Sequence, residues 1–127
     1  MARSVLLTTA LLTFSLLLAA CDRQLTSPDG VVTLQPGDFS GPATVARGYN
    51  LEIDLPRDPA LPNTEPIWSV SSSNPAVLTP LGSIPSNSST QDQAFDARTA
   101  GTATITAQRL VGCTKPCPPL TITVTVT

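Results

Sequence analysis

The chain has 127 residues, enough for one domain with a single hydrophobic core. Charged residues make up 13 % of it and the formal net charge is −2, which excludes a basic nucleic-acid binder and a highly charged disordered chain. Histidine is absent, so no imidazole base or ligand is available, and 13 prolines speak against a helical bundle. The first element follows Arg3: an apolar run from Val5 to Leu18, broken only by Thr8, Thr9, Thr13 and Ser15, and closed by Ala19 and Ala20. A basic start, an apolar middle and small residues at the end are the layout of a helical secretory signal peptide over residues 1–20. The 16 residues from Val5 to Ala20 fall short of a spanning helix, which needs about 20, so cleavage is expected rather than retention in the membrane.

Leu18-Ala19-Ala20-Cys21 resembles the lipobox of bacterial lipoproteins. The resemblance implies that the thiol of Cys21 receives a diacylglycerol and that a peptidase cuts just before it. The mature chain would then begin at a lipidated residue, anchored outside the cytoplasmic membrane by acyl chains that contribute about 0.8 kcal/mol per buried methylene. Asp22 next to such a cysteine resembles, in some Gram-negative bacteria, an inner-membrane retention signal. The polar stretch that follows, with Pro28 and Gly30, reads as a short tether over 21–30, leaving 31–127 as the folded domain.

From Val31 onward, period-two alternation recurs. Candidate strands are Val31–Leu34, the run Asn50–Leu55, Ile67–Val70, Pro75–Leu78, Ala94–Ala97, Thr102–Ala107 and Leu120–Thr127. In the last, Ile122, Val124 and Val126 should face inward and the intervening threonines outward. About seven short strands separated by Pro, Gly, Ser and Asn predict an all-β fold, an Ig-like β-sandwich. Two irregular stretches stand out: 56–66, with Pro56, Pro59, Pro62 and Pro66, and 79–92, with Pro80, Gly82, Pro85 and a polar Ser-Asn-Ser-Ser run. Both are expected as loops outside the sheets. Trp68, the single tryptophan, is either an exposed binding anchor or a core plug, and its alternating flanks favour the core, with Phe95 and Ile105 as partners.

With Cys21 lipidated, Cys113 and Cys117 remain as an even pair in an oxidising compartment. Two thiolates without histidine do not complete a zinc site, and three intervening residues rather than two depart from a redox motif. A structural disulfide bracing the loop 112–119 is expected, and no metal or cofactor.

The segments Trp68–Leu78 and Phe95–Ala107, with their Ser-Ser-Asn-Pro turn and Ala-Gly-Thr-Ala-Thr-Ile-Thr-Ala strand, resemble bacterial Ig-like domains. Asn74-Pro75 sets the turn and Gly101 opens a tight corner before the strand. The same order also resembles the chagasin-type inhibitors of papain-like cysteine proteases. Gly48 to Leu55, Trp68, Phe95 to Ala97, Gly101 and Thr121 to Val126 carry that resemblance. It implies an Ig-like sandwich that blocks a protease cleft with loops. The loop signatures differ: residues 58–66 stand where that family has Asn-Pro-Thr-Thr-Gly, and Cys113 to Pro119 stand where it has Arg-Pro-Trp. What carries over is the scaffold and not its inhibitory side chains.

Catalysis finds little support. No base stands beside the many serines and threonines, and Lys115, the single lysine, reads as a solvated loop charge. The carboxylates Asp54, Asp58, Glu65, Asp92 and Asp96 are scattered, whereas a glycosidase needs a pair across a cleft. A calcium site at Asp54 and Asp58 lacks a spaced Asp loop. The expectation is a lipid-anchored, extracytoplasmic binding or structural module at the cell envelope, not an enzyme. Its partner surface would be the loops 56–66, 79–92 and 112–119, and the alternative is a chagasin-like protease inhibitor.

Overall fold

The computed structural model describes residues 22–58, 60, 67–84, 89–113 and 117–127. The expected signal peptide over 1–20 and Cys21 lie outside the described residues. Among the described residues nine strands form in chain order: β1 (Arg23–Leu25), β2 (Val31–Leu34), β3 (Ala43–Val45), β4 (Asn50–Pro56), β5 (Trp68–Ser72), β6 (Leu78–Ile84), β7 (Thr90–Ala97), β8 (Gly101–Arg109) and β9 (Leu120–Val126). One 3-10 turn, Pro36–Asp38, interrupts them, capped where the Asp38 carboxylate accepts from the Gln35 backbone N–H at 2.8 Å.

The strands make two sheets, one ordered β1-β3-β9-β8-β5 and the other β2-β4-β7-β6. The chain crosses between sheets from β2 to β3 and back to β4, so β2 and β4 pair in parallel, as do β1 with β3 and β3 with β9. The remaining pairs are antiparallel. This is the expected all-β sandwich, enlarged by two three-residue strands, β1 and β3.

Alternation places the core. Leu51, Ile53 and Leu55 of β4, Ala103, Ile105 and Ala107 of β8, and Ile122, Val124 and Val126 of β9 are all buried between the sheets. Phe95 of β7 is wholly buried, and burying such a side chain contributes about 1.5–3 kcal/mol. Outward, β8 and β9 pair Thr102 with Thr125, Thr104 with Thr123 and Thr106 with Thr121, so β-branched hydroxyl side chains cover the solvent face.

Three stretches differ from expectation. Arg23–Leu25, read as tether, adds to the sheet edge, because Leu25 finds a buried place beside Val45. Pro75–Val77, read as a strand, is a turn in which the Asn74 carbonyl accepts from the N–H groups of Val77 and Leu78, both at 3.0 Å, and the strand begins only at Leu78. Most of the stretch 79–92, read as a loop, is ladder: β6 and β7 pair from Leu78↔Ala97 to Ile84↔Asp92, with a bulge between Pro80 and Gly82. Proline is tolerated there because β6 is the edge of its sheet and the ladder bulges beside it.

Candidate functional site

Register brings five strand ends together. Pro56 at the end of β4 pairs with Thr90 at the start of β7, Trp68 at the start of β5 pairs with Arg109 at the end of β8, and Leu120 at the start of β9 pairs with Ala107. The connections 57–67, 85–89 and 110–119 therefore all emerge at one end of the sandwich. Of the expected partner loops, 56–66 and 112–119 are at this end, while 79–92 contributes only its short connection. Residues 59, 61–66, 85–88 and 114–116, Glu65 and Lys115 among them, lie outside the described residues.

A buried glutamine ties this end together. Gln91 of β7 accepts at Oε1 from the backbone N–H of Ile67 at 2.8 Å and of Trp68 at 3.0 Å, and donates from Nε2 to the Trp68 carbonyl at 2.8 Å. One amide thus serves three backbone groups at the start of β5, an edge strand of the other sheet. Trp68 Nε1 donates to the Pro56 carbonyl at 2.9 Å, Arg57 N to the Ser89 carbonyl at 2.8 Å, and Leu110 N to the Ile67 carbonyl at 2.7 Å. Each connection is bound to another. Trp68 is buried and belongs to the same core as Phe95 and Ile105, which favours the core plug over the exposed anchor.

Arg109 shapes the third connection. Its guanidinium stands 5.9 Å from the Trp68 ring centroid, a cation–π contact, and its Nε donates to the Val111 carbonyl at 2.9 Å. Gly112 follows at φ 86°, and a Cβ there would come within 3.0 Å of the Arg109 guanidinium. Cys113 and Cys117 are disulfide-bonded with Cα atoms 6.0 Å apart, and Gln108 Nε2 donates to the Cys117 carbonyl at 3.1 Å. Leu110 and Val111 remain 54 % and 39 % exposed, two of the three exposed large apolar side chains among the described residues. Alternation did not reveal Gln91, Arg109, Leu110 or Val111. Gln91 lay in a stretch whose composition says loop, and the apolar pair just before Gly112-Cys113 was the available signal.

The carboxylates divide. Asp54 and Asp92 face each other across β4 and β7. Burial pushes the Asp92 carboxyl above its ordinary range, and a hydrogen bond to Asp54, the Asp54 charge and the Glu52 charge add to that. A shallow cavity of about 240 Å³, lined by Gln35, Pro36, Asp54, Pro56, Ser89 and Thr90, adjoins them. Asp54 and Asp92 stand side by side on adjacent strands, whereas a glycosidase pair stands across a cleft. Asp58 instead accepts from the Ala60 N–H at 2.9 Å, and Asp96 pairs with Arg98 at 3.4 Å. Among the described residues no three acidic or thiol groups gather as metal ligands.

No protein-family model matches the sequence, and no curated protein matches it. Solved structures do. The chain is similar to the cysteine protease inhibitor EhICP2 of Entamoeba histolytica, with a TM-score of 0.57 at 13 % identity over 76 % of this chain and 95 % of that one. It is also similar to amebosin in solution, with a TM-score of 0.53 at 20 % identity over 75 % of this chain and 96 % of that one. The likeness covers nearly the whole of each neighbour and is one of fold. It agrees with the scaffold that the chagasin-type resemblance implied.

Proposed function

We propose that this chain is an exported inhibitor of papain-like cysteine proteases, held at a membrane by lipid on Cys21 and acting through the loop end of the sandwich. The observation that carries the reading is the convergence of three connections, cross-bonded through Gln91, Trp68 and Arg109, on a scaffold shared with a cysteine protease inhibitor. A pre-bonded surface loses little entropy on docking, which a wedge for a protease cleft requires. Leu110 and Val111 supply the apolar contact, and the disulfide holds the third connection against unfolding or cleavage. Titration of papain with the soluble chain from Asp22 onward tests the reading. Inhibition at micromolar concentrations or below is expected; full activity at about 100 μM, the weak end of protein recognition, would end it.

The differing loop signatures at 58–66 and 113–119 favour a second reading, a lipid-anchored binding or structural module at the cell envelope. The same titration separates the two. Labelling with a clickable fatty acid tests the anchor: wild type should take up label and Cys21→Ser should not.

A further inference from the structure

A lipid on Cys21 constrains how the domain sits, because Arg23–Leu25, within the stretch expected as tether, is paired into the sheet. Cys21 precedes Asp22, and Asp22 is already fixed: its carboxylate accepts from the Thr44 Oγ1 hydroxyl at 2.5 Å. The next residue begins β1, with Arg23 N donating to the Pro42 carbonyl at 3.3 Å. One residue of slack spans about 3.5 Å. The longest strand, nine residues, runs about 30 Å. An anchored domain with so little slack cannot stand off the bilayer or turn freely over it.

We propose that the sandwich edge formed by β1 and the connection 35–42 lies against the lipid surface that holds Cys21, so that the loop end opens along that surface rather than away from it. This rests on the lipid-anchor part of the proposed function and not on protease inhibition. Register sets the position: Arg23 is opposite Ala43, and Ala43 opposite Val124, two residues inside the end of β9, so the anchor attaches at the flank of the sandwich and not at either end. The surface there suits a bilayer. Gly37, Ser40, Gly41 and Pro42 are exposed and uncharged, and Phe39 is half-buried among them. Of the charges at this edge, Arg23 and Asp38 neutralise each other at 3.0 Å across a groove of about 360 Å³, and the one that remains, Asp22, is bonded to the Thr44 hydroxyl. The outer face of the β2-β4-β7-β6 sheet instead carries Glu52, Asp54 and Asp92, acidic groups that an anionic lipid surface repels, beside the Asp96–Arg98 pair. The molecule is therefore kept from rolling onto that face.

The test uses the chain from Cys21 onward, its 113–117 disulfide intact, coupled through Cys21 to a maleimide lipid in nanodiscs of phosphatidylethanolamine and phosphatidylglycerol with a gadolinium-chelating lipid. Amide signals of Gly37, Ser40 and Gly41 should lose most of their intensity, while those of Ser71 and Ser72 on β5, the far edge, persist. Inserting about ten Gly/Ser residues after Cys21, a reach of ~35 Å, should restore the lost signals. Survival of the Gly37–Gly41 signals in the directly coupled chain, or equal loss at Ser71, overturns the proposal. A wild-type product from bacterial membranes without the mass of a diacylglycerol on Cys21 removes the anchor, and the proposal with it, whatever the papain titration shows.

Discussion

Two residues at opposite ends of the sandwich do work that no neighbour can take over. Gly101 opens β8 at φ 150°, and a Cβ there would stand 2.8 Å from Val77 Cγ2, inside the turn that leads into β6. Gly101→Ala is expected to cost about 1–3 kcal/mol through strained backbone and steric conflict. In a double-mutant cycle Val77→Ala should recover the steric part and leave the φ part, so the two substitutions are non-additive in urea melts. Full additivity would show that the close approach is not what requires glycine. At the loop end, Gln91→Ala strands the N–H groups of Ile67 and Trp68 and the Trp68 carbonyl, and should cost about 3 kcal/mol. If inhibition is confirmed, that variant should weaken it more than it lowers the melting temperature of the β8–β9 ladder followed by hydrogen exchange, because Gln91 ties down the connections rather than the distant strands. Equal loss in both would reduce Gln91 to a stability residue.

Among the elements, the outer faces of the two sheets contrast. Threonine pairs cover β8 and β9, while Asp54 opposes Asp92 on β4 and β7. Like charges directly opposite each other destabilise a ladder. The Asp92 carboxyl sits above its ordinary value of 3.8, first because it is partly desolvated and then because of Asp54. A carboxyl whose native pKa is raised carries no penalty below 3.8, where it is protonated folded and unfolded, and the full penalty above its native value. Stability is therefore lost as pH rises through that window. Asp92→Asn should stabilise by about 0.5 kcal/mol at pH 7 and by nothing at pH 3, read from paired thermal melts. A gain that does not depend on pH would assign the effect to packing. The elements were legible to different degrees, for physical reasons. β4, β8 and β9 alternate over seven or more residues and have one buried face each, so period two marks them. β1 and β3, three residues each, are too short to show a period and exist because a parallel partner is already in place. β6 contains Pro80 and Gly82, which read as a loop until its position at a sheet edge removes the objection. At the candidate site the disulfide pair and Trp68 were legible from residue type, whereas the Gln91 clamp depends on a contact across 23 residues that no local pattern encodes.

For the molecule as a whole, the question is what the Cys113–Cys117 bridge adds to a sandwich that already has a closed core. The bond joins residues four apart in sequence, and closing so small a loop removes little unfolded-state entropy, about 2 kcal/mol at most. Backbone hydrogen bonds at Leu110 and the Gln108 contact to Cys117 hold both flanks of the loop without it. The core of Phe95, Ile105, Val124 and their neighbours does not touch the sulfurs' role. Cys113→Ser/Cys117→Ser should therefore fold, with the amide dispersion of β4, β7, β8 and β9 unchanged, and should lose no more than that amount of stability. Its effect on a partner should be larger than its effect on the fold, because the bridge fixes the backbone that presents Leu110, Val111, Pro118 and Pro119 at the loop end. The measurement is a paired one: urea unfolding and papain inhibition for wild type and the double serine variant. A variant that unfolds in buffer would make the bridge a condition of the fold, and a variant that inhibits as well as wild type would take the 110–119 connection out of the contact surface.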